Sequence, residues 1–357
     1  MKWLATLLLA TALTGGHALA QTAPITIPAS LDVLIMAAEK EGRLDLVWTD
    51  SVLGDADAVA KHAAKFNAMF KTHIQIKYSP GPELARFANQ LFTEFQAGQP
   101  ATSDLYIGAA TQMLQLLTRD MFFPVPWHTL QPDRISAEMV EYDSHVLRIQ
   151  SAVSGVTYNS DLIPHPPANV ADFLKPEWKG KIATTPYAGG YDTLAAKDLW
   201  GPEKTLDFVR QLSTQAAGLM RCGDAEHIAT GEFQALVMDC VSNTATAWQE
   251  RGAPVAFMIP RDAAQYRYYY AAVPRHARHP AAAALFSLYL DSADAQAIMW
   301  QTVKVDLASL PGSHMASLFN KAKADGIVFT EVTVDWWAKH PEVDQTKSEM
   351  IKLIGKK

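Results

Sequence analysis

From Leu44 onward, short apolar runs rich in β-branched residues alternate with longer segments of helical period. That pattern restricts the chain to sheets of largely parallel strands covered by helices. The spacing predicts strands at Leu44–Trp48, Ile74–Tyr78 and Asp104–Ile107. Between the first two, Gly54-Asp55-Ala56-Asp57 opens a helix whose Val59, Ala63, Phe66 and Phe70 share one face. Between the second and third, a helix opening near Pro82-Glu83 buries Leu84, Phe87, Leu91 and Phe95. Two long extended runs interrupt the alternation, Arg148–Asn159 and Tyr266–Val273, and read as strands crossing between two halves. A further α/β set lies between them, with strands at Lys181–Thr184, Gly218–Arg221 and Ala235–Met238. Each half is then discontinuous in sequence.

Length supports two halves. The basic start Met1-Lys2, the apolar run Trp3–Leu13 and the small residues His17-Ala18-Leu19-Ala20 read as a cleavable export signal over residues 1–20. That run is about half the roughly 20 residues a membrane helix needs. The mature chain is therefore expected to be soluble and exported. Gln21 in place of Cys leaves no lipid attachment point, so a free periplasmic protein is expected in a Gram-negative host. The roughly 337 remaining residues exceed what one core usually supports, so two domains are expected. A formal net charge of -6 gives no attraction to nucleic acid. In an oxidising compartment Cys222 and Cys240, the only cysteines, are expected to form a disulfide worth roughly 3 kcal/mol.

The segment Tyr158-Asn159-Ser160, Pro167, Asp172-Phe173-Leu174 and Lys175-Pro176-Glu177-Trp178-Lys179-Gly180-Lys181-Ile182 resembles family 1 extracellular solute-binding proteins of the ferric-iron type. His279-Pro280 through Ser292 with Gln296, and Gly231-Glu232-Phe233-Gln234-Ala235, are similar to two further elements of that family. The resemblance implies a two-lobed type 2 periplasmic-binding fold, each lobe a central mixed sheet flanked by helices, joined by two crossover strands. It also implies hinge closure on a small-molecule ligand, an ABC permease with its ATPase as partners, and a monomer. The corresponding division is residues 21–148 and 270–310 in one lobe, 149–269 and 311–357 in the other.

The family's iron ligands have no counterpart here. Their places read Thr49-Asp50-Ser51-Val52, Gly108-Ala109-Ala110 and Val241-Ser242-Asn243-Thr244. A ferric ion needs several anionic or imidazole donors, so the expected ligand is an organic molecule or an oxyanion, with no metal and no cofactor. A ferric site on other ligands, such as Asp50 with the Tyr266–Tyr270 cluster, is the first alternative. A periplasmic enzyme on the same fold is the second, although no nucleophile-elbow, zincin, P-loop or dinucleotide motif occurs.

Ligands of open α/β sheets sit beyond the carboxyl ends of strands, where helix N-termini favour anions. The candidate ligand contacts are Trp48, Asp50, Ser51, Gly108, Thr111, Thr184, Tyr187, Gly190, Ser242, Asn243 and Tyr268. Two readings fit Ser51, Thr111, Ser242 and Thr244, since a hydroxyl that caps a helix serves with or without a ligand. Trp48 and Tyr187 stack on a ligand or cover a sheet end, Gly189-Gly190 marks a close backbone approach, and Asp50 recognises a donor or caps a helix. Alternation puts Tyr268 and Tyr270 on one strand face and Tyr269 on the other. Arg221 is a candidate counter-ion. His276 and His279 have no third donor at ligand spacing and are expected to be solvent-exposed.

Overall fold

The computed structural model describes residues 26–355; the expected export signal over 1–20 and Lys356-Lys357 lie outside them. The chain runs through α1 (Leu31–Glu41), β1 (Arg43–Trp48), α2 (Asp50–Leu53), α3 (Ala56–Phe70), β2 (Gln75–Pro80), α4 (Leu84–Gln96), β3 (Tyr106–Ala109), α5 (Ala110–Leu117), α6 (Trp127–Leu130), β4 (Val140–Glu141) and β5 (Val146–Val153). It then forms β6 (Gly155–Asn159), β7 (Ile182–Thr184), α7 (Gly201–Gln215), β8 (Gly218–Leu219), α8 (Glu226–Ala229), β9 (Ala235–Asp239), α9 (Asn243–Glu250) and β10 (Val255–Met258). It returns through β11 (Gln265–Ala272), α10 (Pro280–Leu290), α11 (Ala293–Val303), α12 (His314–Ala324), β12 (Thr330–Val332), α13 (Val334–Lys339) and α14 (Pro341–Ile354).

Local chemistry explains the first repeat. Asp55 caps α3 by accepting the N–H groups of Asp57 and Ala58. The buried face of α3 is Ala58, Val59, His62, Phe66 and Phe70. His62 thus takes the inward place expected for Ala63: its Nδ1 lies 3.1 Å from the Tyr289 hydroxyl, and burial pushes its pKa down to about 4. β1 and β2 pair in parallel from Arg43↔Gln75 to Trp48↔Pro80. β3 starts at Tyr106, two residues later than the apolar pattern suggests, and Asp104 instead ties β1 to the turn before α10. Its carboxylate accepts the backbone N–H groups of Asp45, Arg278 and His279 and lies 2.7 Å from His279 Nδ1. His279 is therefore mostly buried, with 18% of its side chain exposed, contrary to expectation. The expectation treated it as an isolated loop residue; a carboxylate distant in sequence draws it in.

The first sheet is mixed. β1 touches β3 through the Leu46↔Leu105 bridge, β3 runs antiparallel to β11, and β11 runs antiparallel to β5, which pairs with β4. β12 adds in parallel to the start of β11. Helix α10 is buried along its whole length, from Pro280 to Leu290, as a helix apolar on every side must be. The second sheet has the order β10-β6-β9-β7-β8, with β7 parallel to β8 and β9 and β6 antiparallel to its neighbours.

The Tyr158-Asn159 pair gains a physical reason. Asn159 Oδ1 accepts the N–H groups of Asp161 and Leu162, and its Nδ2 donates to Ile228 O at 2.8 Å, closing the turn after β6. Likewise Gly180 has φ 75°, a value that favours glycine, and Trp178 packs 5.0 Å from Phe173.

Two large apolar clusters result. One joins Leu34 through Ile149 with Tyr268 through Leu307 and Val334. The other joins Val156 through Ala263 with Met350 and Ile354 of α14. A small third cluster of Val153, Met315 and Phe319 fills the junction. α14 is tied to the second half by Lys347 Nζ, 2.6 Å from the buried Asp192 carboxylate. Replacing Lys347 with Met leaves that carboxylate without its cation. The expected cost, discounted for the partly exposed lysine, is about 2 kcal/mol in urea unfolding, whereas K339M on the surface of α13 should change stability by less than about 0.5 kcal/mol.

Candidate functional site

Ser154, between β5 and β6, is where one strand leaves the first sheet and enters the second. Glycine is needed next to it: a Cβ on Gly155 would lie 2.3 Å from Met258 O and 2.6 Å from the Phe257 ring. Arg267 on β11 pairs with Ala152 of β5 and reaches across this point. Its Nη2 donates to Ser154 Oγ and, at 3.0 Å, to Cys240 O at the end of β9. Gly190 packs on the same spot, with φ 88° and a Cβ position 3.2 Å from Ser154 Cβ. Buried Gln265 donates to Gly190 O and accepts the Thr193 hydroxyl.

The second-half wall is built on a disulfide. Cys222 and Cys240 are joined, with Cα atoms 5.3 Å apart. A Cβ on Gly189 would lie 2.5 Å from Cys240 Sγ, so the loop after β7 lies directly on the bridge. Tyr187 is 40% exposed at the tip of this loop. Burial raises its pKa, and the charge of Glu83, at the start of α4 in the first half, adds to the rise. Ser242 is buried at the start of α9 and makes no capping bond. Asn243 Nδ2 donates to Val303 O at the end of α11, a bond between the halves, while its Oδ1 is buried without a partner. Lys304 and Glu250 add an ion pair of 2.7 Å beside it.

On the first-half wall, the Tyr78 hydroxyl lies 2.7 Å from Asp50 Oδ1 and 3.1 Å from Trp48 O. Asp50 and Ser51 are exposed. Gly108 has no room for a side chain, since a Cβ would lie 2.7 Å from the Tyr106 ring. Its neighbour Ala109 pairs with Tyr269, which brings the start of α5 against β11. Thr111 lines a cavity of about 450 Å³ with Asn89, Gln112, Gln115, Thr118 and Asp344, between α4, α5 and α14.

Tyr187, Gly190, Ser242 and Asn243 are thus gathered around the Cys240 segment, and Gly108 and Thr111 stand on either side of the β3–α5 junction in the first half. Trp48, Thr184 and Tyr268 are spent elsewhere. The Trp48 indole is buried and its N–H donates to Gly54 O at 3.2 Å. Thr184 is buried and donates to Val237 O at 3.1 Å. Tyr268 lies under the Arg148 guanidinium at 4.1 Å and donates to Glu331 at 2.8 Å. Its ring lies near those of Tyr266 and Tyr270, on the strand face opposite Arg267 and Tyr269. Arg267, Ser154 and Glu83 were absent from the sequence-derived set. The available signal was the one cation inside the Tyr266–Tyr270 run.

Among the described residues, Asp45, Asp104 and His279 form the one group of metal-ligating type. The Asp104 oxygens are already taken by N–H donors, so the group ties β1 to the turn that precedes α10.

Asp239, which precedes Cys240, is buried and accepts Thr157 Oγ1 at 2.7 Å and Gly223 N at 3.0 Å. Burial raises its pKa to about 6, against those hydrogen bonds. The folded form then binds a proton more tightly than the unfolded chain, so this group's contribution to stability falls as pH rises from about 4 to about 6. Asn is the neutral mimic. D239N should gain on the wild type by about 2 kcal/mol between pH 4 and pH 7 in paired denaturation curves; a constant difference across that range would show that Asp239 does not titrate there.

A family model described as bacterial extracellular solute-binding protein matches residues 61–330. No curated protein matches the chain. Among solved structures, iron-bound HitA from Pseudomonas aeruginosa superposes with a TM-score of 0.68 at 16% identity, covering 86% of this chain and 99% of that one. The substrate binding protein of an ABC transporter from Agrobacterium tumefaciens gives 0.69 at 15% identity, covering 87% and 94%. AfuA from Actinobacillus pleuropneumoniae, bound to fructose-6-phosphate, gives 0.64 at 17% identity, covering 88% and 97%. At these identities the likeness establishes the two-lobed fold alone.

Proposed function

Because the chain belongs to the bacterial extracellular solute-binding protein family, we propose that it is the periplasmic receptor of an ABC importer, carrying a small organic molecule or oxyanion. The observation that carries this reading is the pair of separate apolar cores meeting at a polar junction. There Ser154, Arg267 and Cys240 are joined by hydrogen bonds, and hydrogen-bonding loops from both halves converge.

The mechanism is hinge closure. Of the described residues, the sheet that ends at Val153 with β11, α10 and α11 forms one lobe and β6 to β10 with α14 the other, with β12 reaching back to β11. Rotation about Ser154–Gly155 and the start of β11 changes the gap between the Tyr187 and Gly108 loops while leaving each sheet intact. A ligand that touches both walls has more contacts in the closed form, and that difference drives closure. The closed pair of lobes is the shape a permease and its ATPase recognise. Nothing in this sequence of events breaks a covalent bond, so the protein acts stoichiometrically, as a monomer, after removal of residues 1–20.

A cognate ligand at a hundred times its Kd should stabilise the fold by about 2.7 kcal/mol, raising Tm by roughly 5–10 °C with a smaller radius of gyration in solution scattering. Ligand turnover instead of stoichiometric binding would favour an enzyme. The places the family uses for iron carry hydroxyls, amides and Asp50. Purified protein is therefore expected to be colourless and free of iron by elemental analysis; a stoichiometric, visibly absorbing ferric complex would overturn the organic-ligand reading.

A further inference from the structure

Four arginines are partly buried, and three have an anionic neighbour. Arg148 pairs with Glu141 and Glu331, Arg275 with Asp120, and Arg134 lies in the field of Asp291. Arg267 has no ion pair among the described residues. Its Nη2 serves a hydroxyl and a carbonyl, and no protein acceptor faces its Nε or Nη1. A half-buried guanidinium with unclaimed N–H groups can take a carboxylate or phosphate without losing a protein ion pair.

Two further features converge on this cation. The register Tyr269↔Ala109 brings the N-terminus of α5 beside the strand carrying Arg267. Cys240, bonded to Arg267, lies two residues before Ser242, the first residue of the turn that opens α9. Both helices are eight residues long, and each presents unpaired N–H groups and a partial positive charge. One partly buried cation and two helix starts, from opposite lobes, thus share a corner of the gap.

We infer that Arg267 anchors an anionic group of the transported solute, a carboxylate or a phosphate, which bridges the α5 and α9 starts as the lobes close. This rests on the solute-binding reading above. The planar fork of the guanidinium suits either anion in a bidentate contact. Carboxylates stand on the first-half wall as well. The charge of Glu83 acts on both Tyr187 and Tyr269, and Asp50 is exposed on the same wall. The solute is accordingly an organic anion with hydroxyl or amine donors at its other end, rather than a bare polyanion.

The test is a thermal-shift screen of the mature chain against carboxylates, sugar phosphates, phosphonates, neutral polyols and polyamines, followed by titration calorimetry on each binder. The expected binders are anions with donor groups, and their affinity should fall as salt is raised. R267Q should weaken them roughly 100-fold and R267K roughly 10-fold. If R267Q does not fold, R267K and the wild-type salt dependence decide. Preference for neutral or cationic compounds, or anion affinity unchanged within threefold in R267Q or R267K, overturns the inference while leaving solute binding intact. Absence of any binder across all five classes counts against the solute-binding reading itself, and the inference falls with it.

Discussion

The peptide joining Ser154 to Gly155 hands one continuous strand from the first sheet to the second, and every other long-range relation follows from it. Up to Val153 the strand pairs with β11; from Gly155 it pairs with β9 and β10. A side chain at 155 would collide with Met258 O and the Phe257 ring, so close packing of β10 over the switch point requires glycine. Because hydrogen bonding changes partner there, each sheet builds its own core, and the two cores stay separate. The small cluster of Val153, Met315 and Phe319 seals the junction with chain from the carboxyl-terminal third.

Polar groups collect at the same point for an energetic reason. Ends of strands leave backbone carbonyls unpaired, and those need donors. Arg267 supplies one to Cys240, and Gln265 supplies one to Gly190. The 187–190 loop lies on the disulfide, which restricts the unfolded chain between Cys222 and Cys240. Hydrogen-bonding groups therefore gather as a by-product of ending strands side by side, and ligands of open α/β sheets sit in such places.

Regular elements were legible because burial imposes a period on the sequence. Val59, Phe66 and Phe70 mark the inner face of α3, and the Tyr266–Tyr270 run alternates across β11 as a strand must. Strand ends were less legible: Asp104 looked like the start of β3 and instead holds the Arg278-His279 turn, 174 and 175 residues away in sequence. The same long-range contact buries His279. The choice of Tyr268 over Arg267 illustrates a further gap. Alternation said that the two face opposite ways, but not which face looks into the gap.

The sequence by itself determined two α/β halves, the first crossover strand, the pairing of the cysteines and the family, since these depend on hydrophobic period, residue type and motifs read in order. The second expected crossover, Tyr266–Val273, stays within the first sheet as β11, and the chain returns from the second sheet in the segment 259–264 before it. Tertiary structure alone decided that Arg267 meets Ser154 and Cys240, that Thr184 and Trp48 turn their polar groups inward, and that α14 crosses to the second core through Lys347 and Asp192. Each of these is a contact between residues that no local pattern links. It is settled by which strand ends are brought side by side and which charges lose their water there.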